Sequence, residues 1–215
     1  MPCQPAFDPK DIERRSLQII DSEVPEPRPY SGAQWSVVRR MIHASADFEL
    51  LNLVRFHELA IPAGLKALRS GCKIFTDTNM CLSGITTSRL QHLGCETLCL
   101  ISGQDCAQRA AELHLTRAAA AVHMLQRRLA GNIYVLGNAP TALRQLLLLL
   151  EHGCQPPALV IGMPVGFVDA RESKQALLEQ ELMPYITVQG RKGGSPMAAA
   201  CLNALAELAL EDKER

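Results

Sequence analysis

Ile133-Tyr134-Val135-Leu136-Gly137-Asn138-Ala139-Pro140-Thr141-Ala142-Leu143 joins four apolar residues, a turn and a proline. An apolar run without alternation marks a strand buried on both faces. Gly137 and Asn138 turn the chain, and Pro140 suits the first turn of a helix, which the spacing carries to His152. The same unit recurs on either side. Ile74–Thr76, Thr97–Ile101, Ala158–Ile161 and Ile186–Val188 read as strands. Helices are expected at Thr87–Leu93, Gln104–Leu113, Thr116–Ala130, Ser173–Leu182 and Ser195–Glu211. Five short buried strands alternating with helices predict an α/β fold whose five-stranded parallel sheet is covered on both sides. Ligands of such sheets bind beyond the carboxyl ends of the strands.

Extra helices precede the sheet. Asp11 to Ser22 is helical, with Ile12, Ser16 and Ile20 along one face, and the Pro25–Pro29 stretch ends it. Ala33–Ala44 is a second helix, buried through Trp35, Val38 and Ile42. A weaker segment covers Leu50–Leu59, and Pro62 opens a helix that Gly71 closes. With no linker or repeat, residues 1–215 read as one domain, and residues 1–10 as a loose N-terminus.

The 22 Lys+Arg balance the 22 Asp+Glu, so no bulk positive field points to nucleic acid or a membrane surface. One Trp, three Tyr and five Phe are too few for a base-stacking platform. The aliphatic run Leu146–Leu150 is far below the roughly 20 residues that span a bilayer, and no signal peptide is visible. The eight cysteines form no C-x-x-C pair and none has a histidine at zinc-finger spacing. They read as buried or incidental thiols in a reducing, cytoplasmic compartment, and no metal is expected. An anionic ligand would have to be held by local arginines and helix N-termini.

One local cluster carries chemistry. In Val37-Val38-Arg39-Arg40-Met41-Ile42-His43-Ala44-Ser45-Ala46-Asp47, Arg39 and His43 share a helix face, and Asp47 follows if the helix persists. Histidine exchanges protons near neutral pH, and the arginines suit an anion. Around the strand ends lie glycine-rich loops: Gly137–Thr141, Gly162–Phe167 and Gly190–Ser195. Their backbones allow close approach of a large anionic ligand, although glycine at strand ends is also ordinary turn chemistry. Neither a Walker A loop nor a Rossmann fingerprint is present, and no nucleophile elbow points to a hydrolase. Ser16 on an apolar face is explained as well by a bond to the preceding turn.

Arg15-Ser16, the Val37–Phe48 segment, Gly137–Leu143, Pro164-Val165-Gly166-Phe167-Val168 with Glu172-Ser173-Lys174, and Gly190-Arg191-Lys192-Gly193-Gly194-Ser195 occur together and in order. Together they resemble precorrin-8X methylmutase and the cobalt-precorrin-8 methylmutases of the same family, over residues 11–206. The resemblance implies a flavodoxin-like three-layer α/β/α fold and a homodimer with the site near the subunit interface. It implies an isomerase of cobalamin biosynthesis that moves a methyl group from C11 to C12 of (cobalt-)precorrin-8, giving hydrogenobyrinate or its cobalt counterpart, with no external cofactor. His43 matches the family's catalytic histidine, and Ser16 and Arg40 match substrate-binding positions. Arg15, Arg39, Thr86, Thr116 and Arg117 are further pocket candidates. Cys81 and Ser83 depart from the family's pattern.

The chemistry agrees with that resemblance. Methyl migration around a conjugated macrocycle needs no nucleophile or metal, only a well-placed proton and a fixed ring. The substrate's many carboxylates suit arginine forks. Two other readings stay open on the residues alone: a non-catalytic corrinoid carrier of the same pathway, and a nucleotide-binding module.

Overall fold

The computed structural model describes residues 9–211. The loose terminus expected at residues 1–10 lies outside the described residues up to residue 8, and Pro9 and Lys10 belong to the first helix. In chain order the elements are α1 Pro9–Glu23, α2 Gly32–Ser45, α3 Leu50–Leu53, β1 Val54–Phe56, α4 Ala60–Arg69, β2 Lys73–Thr76, α5 Asn79–Gly84, α6 Thr87–His92 and β3 Glu96–Cys99. They continue as α7 Gln104–Glu112, α8 Arg117–Leu125, β4 Ile133–Leu136, α9 Pro140–Glu151, β5 Leu159–Gly162, α10 Ala170–Glu179, β6 Tyr185–Val188 and α11 Ser195–Glu211.

The sheet has six strands, in the order β1-β6-β5-β4-β2-β3. The five expected strands are present and run parallel to one another. The sixth, β1, corrects the reading of Leu50–Leu59 as helical. It pairs antiparallel with β6 through Val54↔Val188, Arg55↔Thr187 and Phe56↔Ile186. Leu50, Leu51 and Leu53 give this segment a helical spacing, but three residues of edge strand carry no detectable period of two. Tertiary pairing decides it: His57 N–H donates to Tyr185 O at 2.9 Å and Gln189 N–H to Leu53 O at 2.8 Å. A short edge strand with a charged residue, Arg55, at its centre also blunts the sheet margin.

Successive strand residues serve opposite layers. Ile74, Ile133, Val135, Leu159, Ile161, Ile186 and Val188 pack with α1, α2, α4 and α11. Phe75, Tyr134, Leu136, Val160 and Tyr185 pack with α8, α9 and α10. This alternation on fully buried strands is why the strands read as unbroken apolar runs. Trp35, Val38 and Ile42 are buried as expected. On α1 the expected face splits: Ile20 is buried, whereas Ile12 is 50% exposed. Only the C-terminal half of α1 reaches the core. Helix α5 lies in what reads as a loop in the sequence, capped by Thr78, whose Oγ1 accepts from Cys81 N–H at 3.1 Å.

Strand β2 leads to β3 on one side, and the chain then crosses to β4 on the other, so the topological switch point lies between β2 and β4. There the chain fills its own crevice. Asp77, completely buried, accepts N–H bonds from Gly137 at 2.9 Å, Asn138 at 2.7 Å and Ala139 at 2.8 Å. Burial raises the pKa of this carboxyl, and the three amides pull it the other way. Gly137 is obligatory for packing, because a Cβ there would sit 2.6 Å from Ser195 Cα. Gly193 has φ +159, and a Cβ on it would meet Met163 O at 2.3 Å. The rim loops therefore close on one another and on the start of α11.

A second buried charge sits beside the rim. Lys174 is completely buried, and its ammonium donates to the Lys192 carbonyl. Burial pulls its pKa down to about 8.

Two stability measurements follow. Asp77→Asn puts an amide NH2 where an oxygen accepts backbone N–H, and should cost about 2–4 kcal/mol in urea unfolding; a loss below about 1 kcal/mol would contradict the role given to this carboxylate. Lys174 binds its proton less tightly folded than unfolded, so between pH ~8 and its ordinary value near 10.5 the unfolded chain holds more protons and stability rises with pH. Lys174→Met should remove that rise; parallel stability–pH curves for the two proteins would show that Lys174 is not the source.

Candidate functional site

The expected candidates divide between the two faces of the sheet. His43, Arg39 and Arg40 sit on α2, and Arg15 and Ser16 on α1. Both helices pack on the layer shared with α11. Thr116 and Arg117 open α8 on the opposite layer. One chain does not bring these two groups together.

His43 lies in the last turn of α2 and is exposed. It makes no hydrogen bond or ion pair among the described residues. It is close enough to Glu13 of α1 for its charge to act on that carboxylate. Glu13 is held below the usual carboxylate range, first by a hydrogen bond from Arg40, then by the charges of Arg40, Arg89 and His43, with burial opposing.

Arg40, whose side chain is 15% exposed, is gripped by two carboxylates: Nη1 meets Glu13 and Nη2 meets Glu207 of α11. Glu207 is shared with Arg89 of α6 at 3.7 Å. The result is an alternating cluster, Glu13–Arg40–Glu207–Arg89, with the His43 imidazole beside it. Its members come from four helices. Arg89 follows three residues after Thr86, but Glu13 and Glu207 carry no sequence signal, because only the packing of α1 and α11 against α2 brings them to Arg40.

Other candidates are spoken for locally. Arg39 donates to Asp21 at 2.7 Å, the same carboxylate that accepts from Trp35 Nε1 at 2.9 Å, so it ties α1 to α2 rather than facing a ligand. Ser16 Oγ donates to Ile12 O at 2.9 Å, the bond to the preceding turn weighed against a ligand role. Arg15 is exposed on α1. Thr86 N–H donates to Asn203 Oδ1 at 2.8 Å, and Asn203 Nδ2 donates back to Gly84 O at 2.9 Å, so α11 fixes the loop entering α6. Thr116 caps α8 and meets Thr141 Oγ1 at 2.8 Å, beside a cavity of about 330 Å³ lined also by Arg144 and His114. Arg117 is exposed next to it.

Two expectations are corrected. Helix α2 stops at Ser45, with Ala46 left-handed at φ 53, so Asp47 does not continue the His43 face. Asp47 instead accepts from Lys192 at 2.6 Å, and Lys192 also reaches Glu49 at 2.5 Å. The hydrogen bond from Lys192 lowers the pKa of Asp47. Nor do the glycine loops form an open anion cradle, since Asp77 takes the amides of Gly137–Ala139 and Gly194 N–H donates to Met163 O at 2.9 Å.

The space beside Arg39, Arg40 and Glu207 is a crevice of about 80 Å³, well below the several hundred Å³ of a ligand pocket. Around it and along the rim, apolar side chains stand in solvent: Ile12 and Ile19 at 50% and 55%, Met80 at 72%, and Phe167 and Val168 each at 85%. Arg191 stacks over the Phe167 ring at 5.4 Å. Among the described residues no helix is long and apolar enough to cross a membrane.

Comparison with known proteins identifies the family. A family model described as precorrin-8X methylmutase matches residues 11–208. The cobalt-precorrin-8 methylmutase of Leptospira interrogans is 42% identical over 213 residues, covering 96% of each chain. The precorrin-8X methylmutase of Pseudomonas aeruginosa is 44% identical over 168 residues, covering 78% of this chain and 80% of its own. A crystal structure of the precorrin-8X methylmutase from Thermus thermophilus superposes with a TM-score of 0.88 at 43% identity, over 94% of this chain and 97% of that one. A match that spans nearly every element, at this identity, leaves one assignment: the chain belongs to the precorrin-8X methylmutase family.

Proposed function

We propose that this protein is an intramolecular methyl transferase that moves the C11 methyl of precorrin-8, or of its cobalt form, to C12 in cobalamin biosynthesis. Relatives named for either substrate share 41–44% identity with the chain, which supports recognition of the macrocycle and its carboxylates. In the reaction the bond from the methyl carbon to C11 breaks as the bond to C12 forms, and nothing is oxidised or reduced. His43 lends a proton to the macrocycle, which changes the conjugation in favour of the shifted product, and takes it back afterwards.

One observation carries this reading. The His43 side chain is exposed and makes no hydrogen bond or ion pair among the described residues, and its charge acts on Glu13, the carboxylate on which Arg40 and Arg89 also act. That combination leaves an imidazole available for proton exchange next to groups that fix carboxylates. Arg40 holds a substrate carboxylate, and Ser16 and Thr86 line the approach.

The cavity itself is completed by a second copy of the chain. A crevice of about 80 Å³ does not hold a tetrapyrrole, Thr116 and Arg117 face away from His43, and large apolar side chains stand uncovered. A homodimer whose interface sets Arg117 of one copy against His43 of the other accounts for all three. The order of the parallel strands, 2-1-3-4-5 when β1 is set aside, supports a flavodoxin-like description of each subunit. Eight cysteines without a C-x-x-C pair fit a cytoplasmic setting.

His43→Ala should leave stability within about 0.5 kcal/mol, as expected at an exposed position, while turnover of precorrin-8 falls by at least about 10²-fold. Product formation is read from the corrin absorbance spectrum. Turnover at the wild-type rate would remove His43 from the mechanism, and tight binding by the wild type without conversion would favour a carrier.

A further inference from the structure

Helix α1 is held unevenly. Its C-terminal half is anchored by buried Ile20 and Val24, and by Asp21, which joins Trp35 and Arg39. Arg28 adds a bond from Nε to Val24 O at 2.6 Å. In the N-terminal half, Asp11–Arg14 and Ser16–Ile12 are contacts within the helix, and Ile12 is half exposed. There Glu13 reaches across to Arg40.

The two carboxylates on Arg40 are not equivalent. Glu207 is held from two sides, by Arg40 and by Arg89, and belongs to the central helix α11. Among the described residues Glu13 has Arg40 alone as its hydrogen-bonded partner, and its side chain is 47% exposed against 38% for Glu207. The Glu13 carboxylate is half exposed although Arg40 is largely buried, so this bond faces solvent on one side and is open to exchange for another carboxylate. The position Glu13 holds also lies beside His43, where the macrocycle must come.

On the functional reading above, we infer that Glu13 occupies, in the ligand-free chain, the place on Arg40 that a peripheral carboxylate of the substrate takes, with Arg89 as the second cation of that subsite. The exchange keeps the charge of the cluster constant, because one carboxylate leaves as another arrives. It also releases the tie from Glu13 to α2, so that Ile12 and Ser16, spaced along one helical face, can meet the bound ring. Glu13 is thus an internal competitor that sets affinity rather than a group acting on the reacting carbons.

The test compares full-length wild type with Glu13→Gln, Glu13→Asp and Arg89→Gln. KM for precorrin-8 is measured, and the methyl-shifted product is titrated by absorbance near neutral pH. Glu13→Gln removes the competing charge and should tighten product binding and lower KM two- to fivefold, the scale of an exposed ion pair. Glu13→Asp, one methylene too short to reach Arg40 well, should shift both in the same direction by less. It decides the matter if the Gln variant does not fold. Arg89→Gln should weaken product binding about tenfold. Unchanged or weaker binding by Glu13→Gln would overturn the inference and make Glu13 a support for Arg40. Wild type that neither converts precorrin-8 nor binds the product would overturn the functional reading first.

Discussion

The structure turns on one buried carboxylate. In a doubly wound sheet the crevice at the switch point is where a ligand is usually received, on the amides that open the following helix. Here Asp77 takes the Gly137, Asn138 and Ala139 amides itself. With those donors satisfied, the rim loops pack against the start of α11, where Thr78 Oγ1 and Ser195 Oγ lie 3.1 Å apart. The fold keeps the backbone geometry of an anion site but supplies the anion from within. On the proposed reading, binding moves from the crest of the sheet to its flank, where α1, α2, α6 and α11 converge.

That flank solves a problem of charge in a protein whose formal net charge is zero. Cations meant for a ligand must not be quenched for good, yet a cluster of uncompensated arginines beside a histidine would be costly. Arg40 and Arg89 are balanced by Glu13 and Glu207, of which Glu13 is the more exposed. The proposed exchange of one carboxylate for another makes the site ready for an anionic macrocycle without leaving bare charge in its absence. Positioning of His43 rests on neighbours that do not touch it: the left-handed Ala46 ends α2 one turn later, and Lys192 pins the following turn through Asp47 and Glu49.

Much of this was legible in the sequence, and the limits have physical causes. The five parallel strands could be read because both their faces are apolar, and the helices between them because proline and glycine mark their ends. Strand β1 could not, since three residues at an edge owe their conformation to pairing with β6. His43 and Arg40 were found through helical spacing and family resemblance. Their partners Glu13 and Glu207 were hidden because contacts between residues 13, 40 and 207 exist only after three helices pack. For Asp77, nothing local in the sequence distinguishes a carboxylate that faces solvent from one that caps a neighbouring strand–helix turn. Arg39 shows the converse. Its spacing places it beside His43, but Asp21, from another helix, takes its guanidinium.

The central claim is that catalysis needs the His43 flank of one chain and the Arg117 end of another. The most direct test mixes two variants, His43→Ala and Arg117→Ala, each impaired alone, under conditions that let subunits exchange. If the site is shared, mixed dimers contain one intact site, and precorrin-8 conversion should recover to about a quarter of the wild-type rate, as random pairing dictates. If activity stays at the level of the separate variants although mixed dimers form, each chain carries its own complete site and the account is wrong.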